Sequence, residues 1–202
     1  MTTSSLQDQL FTDVAGYSLS SAGKVAMGRE ADPALTYGEC TPEAVEHILT
    51  ITGAKPGEVF CDLGSGTGKM VIYAAFLAPF KKSIGIELLP ELHMAAEHVA
   101  ERYRKEIQPG LPDRRRETAL CFRLGDIFEA DISDCDIVVS HCCTCFDDAL
   151  MQKLSEKLEE CKKGARIVTI TRGLSSPHCT LVSVTPCLMG WGQATANLYI
   201  KR

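Results

Sequence analysis

Three carboxylates in this chain follow short strand-like runs, and they are the side chains best placed to bind a polar ligand. Asp62, Glu87 and Asp126 come at or soon after the ends of the runs 59–61, 83–86 and 119–122. Parallel strands carry their carboxyl ends at one edge of a sheet, so we expect the three acids to converge on one crevice. A carboxylate accepts hydrogen bonds from ammonium, hydroxyl and amino groups, which is the chemistry that this crevice would offer.

A glycine-rich loop separates the first acid from an apolar, helix-like segment at 70–75. Strand, glycine turn and helix start in this order bring backbone N–H groups close to a ligand. A Walker A loop is excluded because Met70 follows Gly68 and Lys69, leaving no hydroxyl for a magnesium ion. A dinucleotide fingerprint is excluded because Lys69 stands where the third glycine is needed. What remains is an acid followed by alternating glycines: Asp62, Leu63, Gly64, Ser65, Gly66, Thr67, Gly68.

This pattern favours S-adenosylmethionine as the cofactor. Asp62 would repel a pyrophosphate but would accept a hydrogen bond from the ammonium of an amino-acid moiety. Glu87, about 20 residues after the loop, lies where such folds bind the ribose hydroxyls, and Leu88 follows it into the same site. Asp126 would accept from the adenine amino group, with Ile127 or Phe128 on the ring. The alternatives are a glycine turn without a ligand and, for Glu87, a solvated acid ahead of Pro90.

Composition limits the classes of function. The chain has 202 residues and a net charge of −5, which fits one domain and argues against a whole surface that binds nucleic acid. The longest apolar run, 70–80, is too short to span a bilayer. The start of the chain lacks a basic region followed by an apolar stretch, so the ten cysteines are expected as reduced thiols in a cytoplasmic or nuclear protein. The oligomeric state is left open.

The order of elements predicts an α/β fold. Residues 1–36 read as an N-terminal lead-in segment with a short amphipathic element at Leu10, Phe11, Val14 and Tyr17, and residues 37–202 as one domain. Alternating strands and helices predict a mostly parallel seven-stranded sheet, with helices on both faces and an antiparallel hairpin at one edge. The strands are expected at 59–63, 84–87, 120–124, 137–140, 166–171, 180–186 and 195–201, and the helices at 41–53, 69–77, 90–108 and 147–163.

The motifs together resemble the class I S-adenosylmethionine-dependent methyltransferases, which have a Rossmann-like fold. More narrowly, the chain is similar to the disruptor-of-telomeric-silencing family, the non-SET histone lysine methyltransferases. The resemblance covers roughly residues 36–202 and rests on four segments: 36–41, 62–68, 85–87 and 125–128. It implies that Tyr37, Glu39 and Thr41 form a loop over the methionine end of the cofactor. Without it, Tyr37 and Glu39 read as a turn before a helix.

The chain departs from that family after the fourth strand. The family has a pair of asparagines and an aromatic-rich turn there, which form a lysine channel. Phe146 would keep the aromatic wall, but the asparagines are replaced, and no run matches the family's basic nucleosome-binding tail. The segment reads Ser140, His141, Cys142, Cys143, Thr144, Cys145, Phe146.

Three interpretations of this segment remain open. In the first, the cysteines pack as small apolar residues. In the second, His141 or the Ser140 carbonyl positions the acceptor. In the third, the thiols bind a metal or metalloid, with His178 and Cys179 as candidate partners. Because Cys143 and Cys145 are closer than the usual Cys-x-x-Cys spacing, no metal site is expected. We also count Ser140 among the cofactor-binding residues.

The expected function is protein-lysine N-methylation, with a protein as the substrate and a histone as one candidate. Tyr37, His141 and Phe146 are the expected catalytic residues. A lysine, with a reference pKa of about 10.4, must lose its proton before methyl transfer. An apolar channel lowers that pKa, so a base is not required, but His141 is the candidate if one exists. The alternatives are a small-molecule or metalloid methyltransferase that uses residues 142–145, and a non-catalytic cofactor-binding domain.

Overall fold

The computed structural model describes residues 2–202, apart from the side chains of residues 4 and 113. Its strands are β1 (Val59–Leu63), β2 (Lys82–Glu87), β3 (Ala119–Leu124), β4 (Ile137–Ser140), β5 (Arg166–Ile170), β6 (Cys179–Met189) and β7 (Gly192–Lys201). Its α-helices are α1 (Thr3–Phe11), α2 (Gly16–Ala26), α3 (Pro42–Thr52), α4 (Lys69–Leu77), α5 (Pro90–Arg102) and α6 (Asp148–Leu158).

The strands form one seven-stranded sheet in the order β3-β2-β1-β4-β5-β7-β6. The pairs among β1 to β5 are parallel, and β7 runs antiparallel to both β5 and β6. The predicted sheet, with its antiparallel edge hairpin, is therefore confirmed. The chain order reverses between β1 and β4, and an open α/β sheet offers a ligand crevice at such a reversal.

Alternate strand residues point to opposite faces, and each face is covered by its own apolar cluster. On one face, Phe60 and Val139 join a cluster to which α1, α3, α4 and α5 contribute. On the other, Leu63 and Val138 pack with α6 and with Cys143 from the turn after β4. The five residues of β1 are all buried, so the strand that carries Asp62 is held rigidly between the layers.

The N-terminal segment differs from the single amphipathic element that was expected. Two helices lie there, and the first completes the core: Leu6 and Leu10 are fully buried, and Phe11 lies 5.8 Å from Tyr73 between ring centroids. Tyr17 instead lies in the first turn of α2, where it is mostly exposed and its ring lies 5.1 Å from that of Tyr37 between centroids. The proposed division of the chain after residue 36 stays a prediction.

Several predicted boundaries were also inaccurate, among them the end of α6, which lies at Leu158 and not near residue 163. The regular part of α5 ends at Arg102 and continues as a π-helical turn, in which Tyr103 and Ile107 are buried. Strand β5 ends one residue early, since Thr171 has a φ of 66°. The hairpin strands are longer than predicted, with a bulge near Leu181. Between residues 2 and 202, no helix is long and apolar enough to cross a membrane.

Candidate active site

A cavity of about 280 Å³ lies at the carboxyl ends of the central strands. Segments that are far apart in the chain meet there: the loop before α3, the glycine loop, and the residues after β2, β3 and β4. The predicted residues that line the cavity are Tyr37, Gly64, Gly66, Glu87, Leu88, Asp126, Ile127, His141 and Phe146. A smaller adjoining pocket is lined by Glu39, Asp62 and Ser65, together with Tyr37 and His141.

The glycine loop lets side chains from other segments approach its backbone closely. Gly64 and Gly66 have φ values of 81° and 54°, which L-residues rarely adopt. A Cβ on Gly64 would lie 2.9 Å from the Cβ of Cys142, and one on Gly66 would lie 2.9 Å from the ring of Tyr37. Gly68 does not line the cavity. Its missing side chain lets α4 begin close to the ring of Phe122.

Glu87 ties the end of β2 to the glycine loop. Its Oε2 accepts from the N–H of Gly66 at 2.8 Å, and its Oε1 accepts from the N–H of Leu89 at 2.9 Å. Burial raises the pKa of Glu87, while these backbone donors oppose the shift. Each carboxylate oxygen has a second lone pair, so Glu87 can still accept from ligand hydroxyls in the cavity that it lines.

Asp62 is the least compensated acid of the site. Its side chain is fully buried, and neither carboxylate oxygen has a hydrogen-bond partner. The nearest cation is His141, whose Nδ1 lies 3.7 Å from Oδ1 and also lacks a hydrogen-bond partner. Burial raises the pKa of Asp62, with a partial opposing effect from His141. A buried carboxylate without donors is unfavourable unless a ligand supplies them.

Burial and neighbouring charge act on His141 in opposite directions. Burial lowers the pKa of the imidazole, but Asp62, Glu87 and the carbonyl of Gly38 raise it further, so that the net shift is upward. The ring of Trp191, at the tip of the β6–β7 hairpin, lies 6.0 Å from the imidazole between centroids. His141 therefore stands between the buried acid and an exposed aromatic side chain.

The loop before α3 is fastened over the glycine loop. The hydroxyl of Tyr37 donates to Glu39 Oε1 at 3.0 Å and lies 3.2 Å from the Oγ1 of Thr67. Glu39 Oε2 forms a largely buried ion pair with the Nζ of Lys69 at 2.6 Å. Burial raises the pKa of Tyr37, which keeps the phenol neutral. Lys69, used above only to exclude a dinucleotide motif, thus helps to close the site.

The far end of the cavity is aromatic. Asp126 Oδ1 accepts from the N–H of Phe128 at 2.9 Å, and the rings of Phe128 and Phe146 lie 6.1 Å apart. Lys153 on α6 lies 4.1 Å from the centroid of Phe128. Lys153 and Arg29 line the cavity but were missed from the sequence. The spacing of α6 marks a helix without showing that this helix borders the crevice, and nothing local marks Arg29.

Thr41 and Ser140, also predicted to bind the cofactor, line neither the cavity nor the smaller pocket. Thr41 caps α3 by accepting from the N–H of Ala44 at 3.0 Å, and its hydroxyl donates to the carbonyl of Leu188 at 3.0 Å. The hydroxyl of Ser140 is buried 3.4 Å from the Sγ of Cys142. Thr41 thus connects the start of α3 to the β6–β7 hairpin, whereas Ser140 contacts a residue of the turn that follows it, and a cofactor-binding role for either stays a prediction.

The cysteines after β4 pack as hydrogen-bond donors. Cys142 donates to the carbonyl of Leu63 at 3.2 Å, and Cys143 donates to the carbonyl of Ser140 at 3.1 Å. Burial raises the pKa of Cys143 to about 11, so its thiol stays protonated and is a poor metal ligand.

The metal-binding interpretation of this segment fails on geometry as well. His178 and Cys179 lie at the start of β6, the opposite end of the sheet from the cavity, and so cannot join these thiols. In the part of the chain that the structure describes, no three His, Cys, Asp or Glu side chains come together to hold a metal ion.

Comparison with known proteins decides the family. Residues 29–183 match the family model described as "Histone methylation protein DOT1". The chain belongs to the DOT1 family. The resemblance inferred from the motifs is therefore confirmed, and the matched span begins before the loop at 36–41.

Among relatives, the chain is 35% identical over 136 residues to the "Histone-lysine N-methyltransferase, H3 lysine-79 specific" of Caenorhabditis elegans. That match covers 66% of this chain and 14% of the nematode protein. A "Protein-lysine N-methyltransferase" of Saccharolobus islandicus is 27% identical over 137 residues, which cover 68% of this chain and 76% of the relative. The chain thus spans a small part of the nematode protein and most of the archaeal one.

Solved structures share the fold at low identity. An RNA methyltransferase from Salinibacter ruber in complex with S-adenosyl-L-homocysteine has a TM-score of 0.60 and 24% identity, covering 79% of this chain and 92% of its own. Magnesium protoporphyrin IX methyltransferase from Synechocystis PCC 6803 also has a TM-score of 0.60, with 11% identity, covering 99% and 97%. Their substrates differ, so these likenesses support the Rossmann-like methyltransferase fold alone.

Proposed function

We propose that this chain is an S-adenosylmethionine-dependent methyltransferase whose acceptor is a lysine side chain of a protein. The observation that carries the proposal is the buried carboxylate of Asp62, which lacks hydrogen-bond donors and lines, together with Gly66, the smaller pocket beside the main cavity. The ammonium of the cofactor's methionine part would supply the missing donors. Membership of the DOT1 family supports the same chemistry.

The other residues of the site fit the remaining parts of that cofactor. Glu87 would accept from the ribose hydroxyls, and Asp126 from the adenine amino group, with Ile127 and Phe128 against the ring. Tyr37 would cover the methionine end. When bound, the cofactor supplies a methyl group that its sulfonium already activates, so the protein has mainly to align the acceptor and exclude water.

His141, Phe146 and Tyr37 form the proposed acceptor side of the site. Phe146 is buried beside Phe128 and gives the acceptor an apolar wall. An apolar wall lowers the pKa of an incoming lysine, because burial disfavours its charged form. Neutral His141 is the proposed base for the proton that leaves. In His141→Ala we expect slow turnover with retained cofactor binding, whereas normal turnover would remove His141 from the mechanism.

The acceptor is proposed from the relatives. The archaeal relative named as a protein-lysine methyltransferase is covered over most of its length, which supports a lysine acceptor. Relatives named as specific for lysine 79 of H3 make a histone one candidate, and a net charge of −5 is compatible with a basic partner. We place the reaction in the cytoplasm or nucleus, because all ten cysteines are free thiols.

The first experiment measures cofactor binding by calorimetry. Micromolar binding of S-adenosylmethionine and S-adenosylhomocysteine is expected for the wild type and should be lost in Gly66→Arg. The matched control is Gly53→Arg, because Gly53 has a similar φ of 58° but open space where a side chain would lie. Absence of binding to the wild type would refute the proposal.

The acceptor is then tested by transfer of a labelled methyl group. Protein extracts incubated with labelled cofactor should yield methylated lysine on hydrolysis. Serine at positions 142, 143 and 145 should leave that transfer largely intact. If the three changes abolished transfer in a folded protein that still binds the cofactor, the thiol-based small-molecule alternative would be favoured instead.

A further inference from the structure

The buried carboxylate of Asp62 can pair with either of two cations, protonated His141 or the ammonium of the proposed cofactor. The imidazole of His141 is within ion-pair distance of it, and the ammonium of the proposed cofactor would bind to the same group. We propose that binding of the cofactor's ammonium to Asp62 expels a proton from His141, so that ligand and proton compete for one carboxylate. This inference rests on the proposed function and adds to it a linkage between cofactor binding and protonation.

The surroundings of His141 leave Asp62 as its main counter-charge. Glu39 is neutralised by Lys69 at 2.6 Å. Glu87 acts on the imidazole through space, but its oxygens already accept from backbone N–H groups. Tyr37, Cys40, Cys61 and Cys142 are titratable groups beside the pair. Burial raises the pKa of Tyr37, Cys40 and Cys142, and the hydrogen bond with Cys135 together with burial raises that of Cys61, so all four stay neutral.

The direction of the linkage follows from these charges. In the free protein, Asp62 favours the imidazolium form of His141 and raises its pKa against the opposing effect of burial. A bound ammonium takes that carboxylate and adds a second positive charge nearby, and both effects lower the pKa of His141. The proton leaves to the solvent. The neutral imidazole left behind is the form that can accept a proton from an incoming lysine, so the base would become available only once the cofactor is bound.

Calorimetry in buffers of different ionisation enthalpy measures the proton directly. The wild type is titrated with S-adenosylhomocysteine in phosphate and in bis-Tris, at pH values from 6.0 to 7.5. We expect release of about half a proton or more per ligand at the lower pH values. The Kd should weaken by up to about tenfold for each pH unit below the pKa of His141 in the free protein.

Two controls isolate the pair. His141→Asn keeps a polar side chain without a titrating proton. It should bind the ligand without proton release, because the ligand's α-amino group binds as the ammonium and keeps its proton. If the His141→Asn protein shows no cooperative melting transition, His141→Gln is used in its place. The second control is 5′-methylthioadenosine, which has the nucleoside but no amino-acid part and should release no proton from the wild type.

Proton NMR of the wild type gives a readout that needs no variant to fold. The titration midpoint of the C2 proton of His141 should move to lower pH when S-adenosylhomocysteine is bound. An unmoved midpoint, or equal proton release from wild type and His141→Asn, would overturn the inference while leaving the proposed function intact. Failure of the wild type to bind the ligand at all would instead refute the proposed function.

Discussion

The close approach of the Tyr37 ring to Gly66 gives a prediction whose free-energy magnitude follows from the structure. Gly66 and Gly53 share a left-handed backbone, with φ values of 54° and 58°. A Cβ on Gly53 would meet nothing within 4 Å, whereas one on Gly66 would lie 2.9 Å from the ring of Tyr37. Alanine at either position therefore carries the same backbone strain, and only Gly66→Ala adds a steric conflict.

The expected free energies follow from these two terms. A residue with a side chain in the left-handed region is destabilised by about 1–2 kcal/mol, so Gly53→Ala should lower the free energy of unfolding by that amount. Overpacking against the Tyr37 ring adds about 1–3 kcal/mol in Gly66→Ala. If the ring moves aside instead, its hydroxyl loses partners in Glu39 and Thr67, each worth about 1 kcal/mol.

Urea unfolding and ligand calorimetry of four proteins test this reasoning. They are Gly53→Ala, Gly66→Ala, Tyr37→Ala, and the double variant of Gly66 and Tyr37. Removal of the ring should reduce the effect of Gly66→Ala to that of Gly53→Ala, a coupling of about 1–3 kcal/mol. Gly66→Ala should also weaken binding of S-adenosylhomocysteine, whereas Gly53→Ala should not. Equal stabilities of the two alanine variants, or zero coupling to Tyr37, would refute the steric argument.

Three further predictions concern buried polar groups. Asp62→Asn should abolish cofactor binding yet raise the free energy of unfolding by about 1 kcal/mol at neutral pH, because it removes an uncompensated charge. Burial lowers the pKa of His141, but Asp62 raises it more, so the stabilisation from this pair is present below the pKa of a free histidine and is lost as pH rises through the raised pKa. The advantage of the variant should therefore be larger at pH 8 than at pH 5.5 in thermal melts. Lys69→Met removes the ion-pair partner of Glu39, so it should destabilise the protein by about 1–3 kcal/mol and weaken cofactor binding. In a double-mutant cycle, adding Glu39→Gln should recover part of the lost stability. Tyr199→Phe removes the acceptor of the Leu174 N–H and should reduce the free energy of unfolding by about 1 kcal/mol in urea without changing ligand affinity; an affinity change there would show that the loop after β5 contributes to the site.

The fold was predictable because its determinants are local. Apolar runs with an acid or glycine at their ends marked the parallel strands, and Thr41 and Gly53 marked the two ends of α3, as the structure confirms. The length of α5 was less predictable, since the π-helical turn after Arg102 depends on how Tyr103 and Ile107 reach the core. The two N-terminal helices were missed because their polar, small residues carry a weak periodic signal.

Part of the candidate site was likewise predictable from the sequence and part was not. Asp62, the glycine loop and Glu87 lie next to recognisable strand ends, so sequence alone assigned them to one crevice, and the structure brings them together. The motifs were likewise sufficient to identify the family. Thr41 was assigned to the site through the family resemblance, and Gly68 and Ser140 through the motifs in which they lie. In the structure none of the three lines the cavity, and their cofactor-binding roles stay predictions.

The sequence by itself determined the order of strands and helices, the family and the acids at the strand ends, because each of these is written in a contiguous segment. Only the tertiary structure decided which charged side chains from different segments pair with one another. The approach of His141 to Asp62 depends on the pairing of β1 with β4, which sets Leu63 opposite Ser140. The ion pair of Lys69 with Glu39 depends on a loop folding back over α4. Such contacts join residues tens of positions apart, and no local pattern encodes the distance between them.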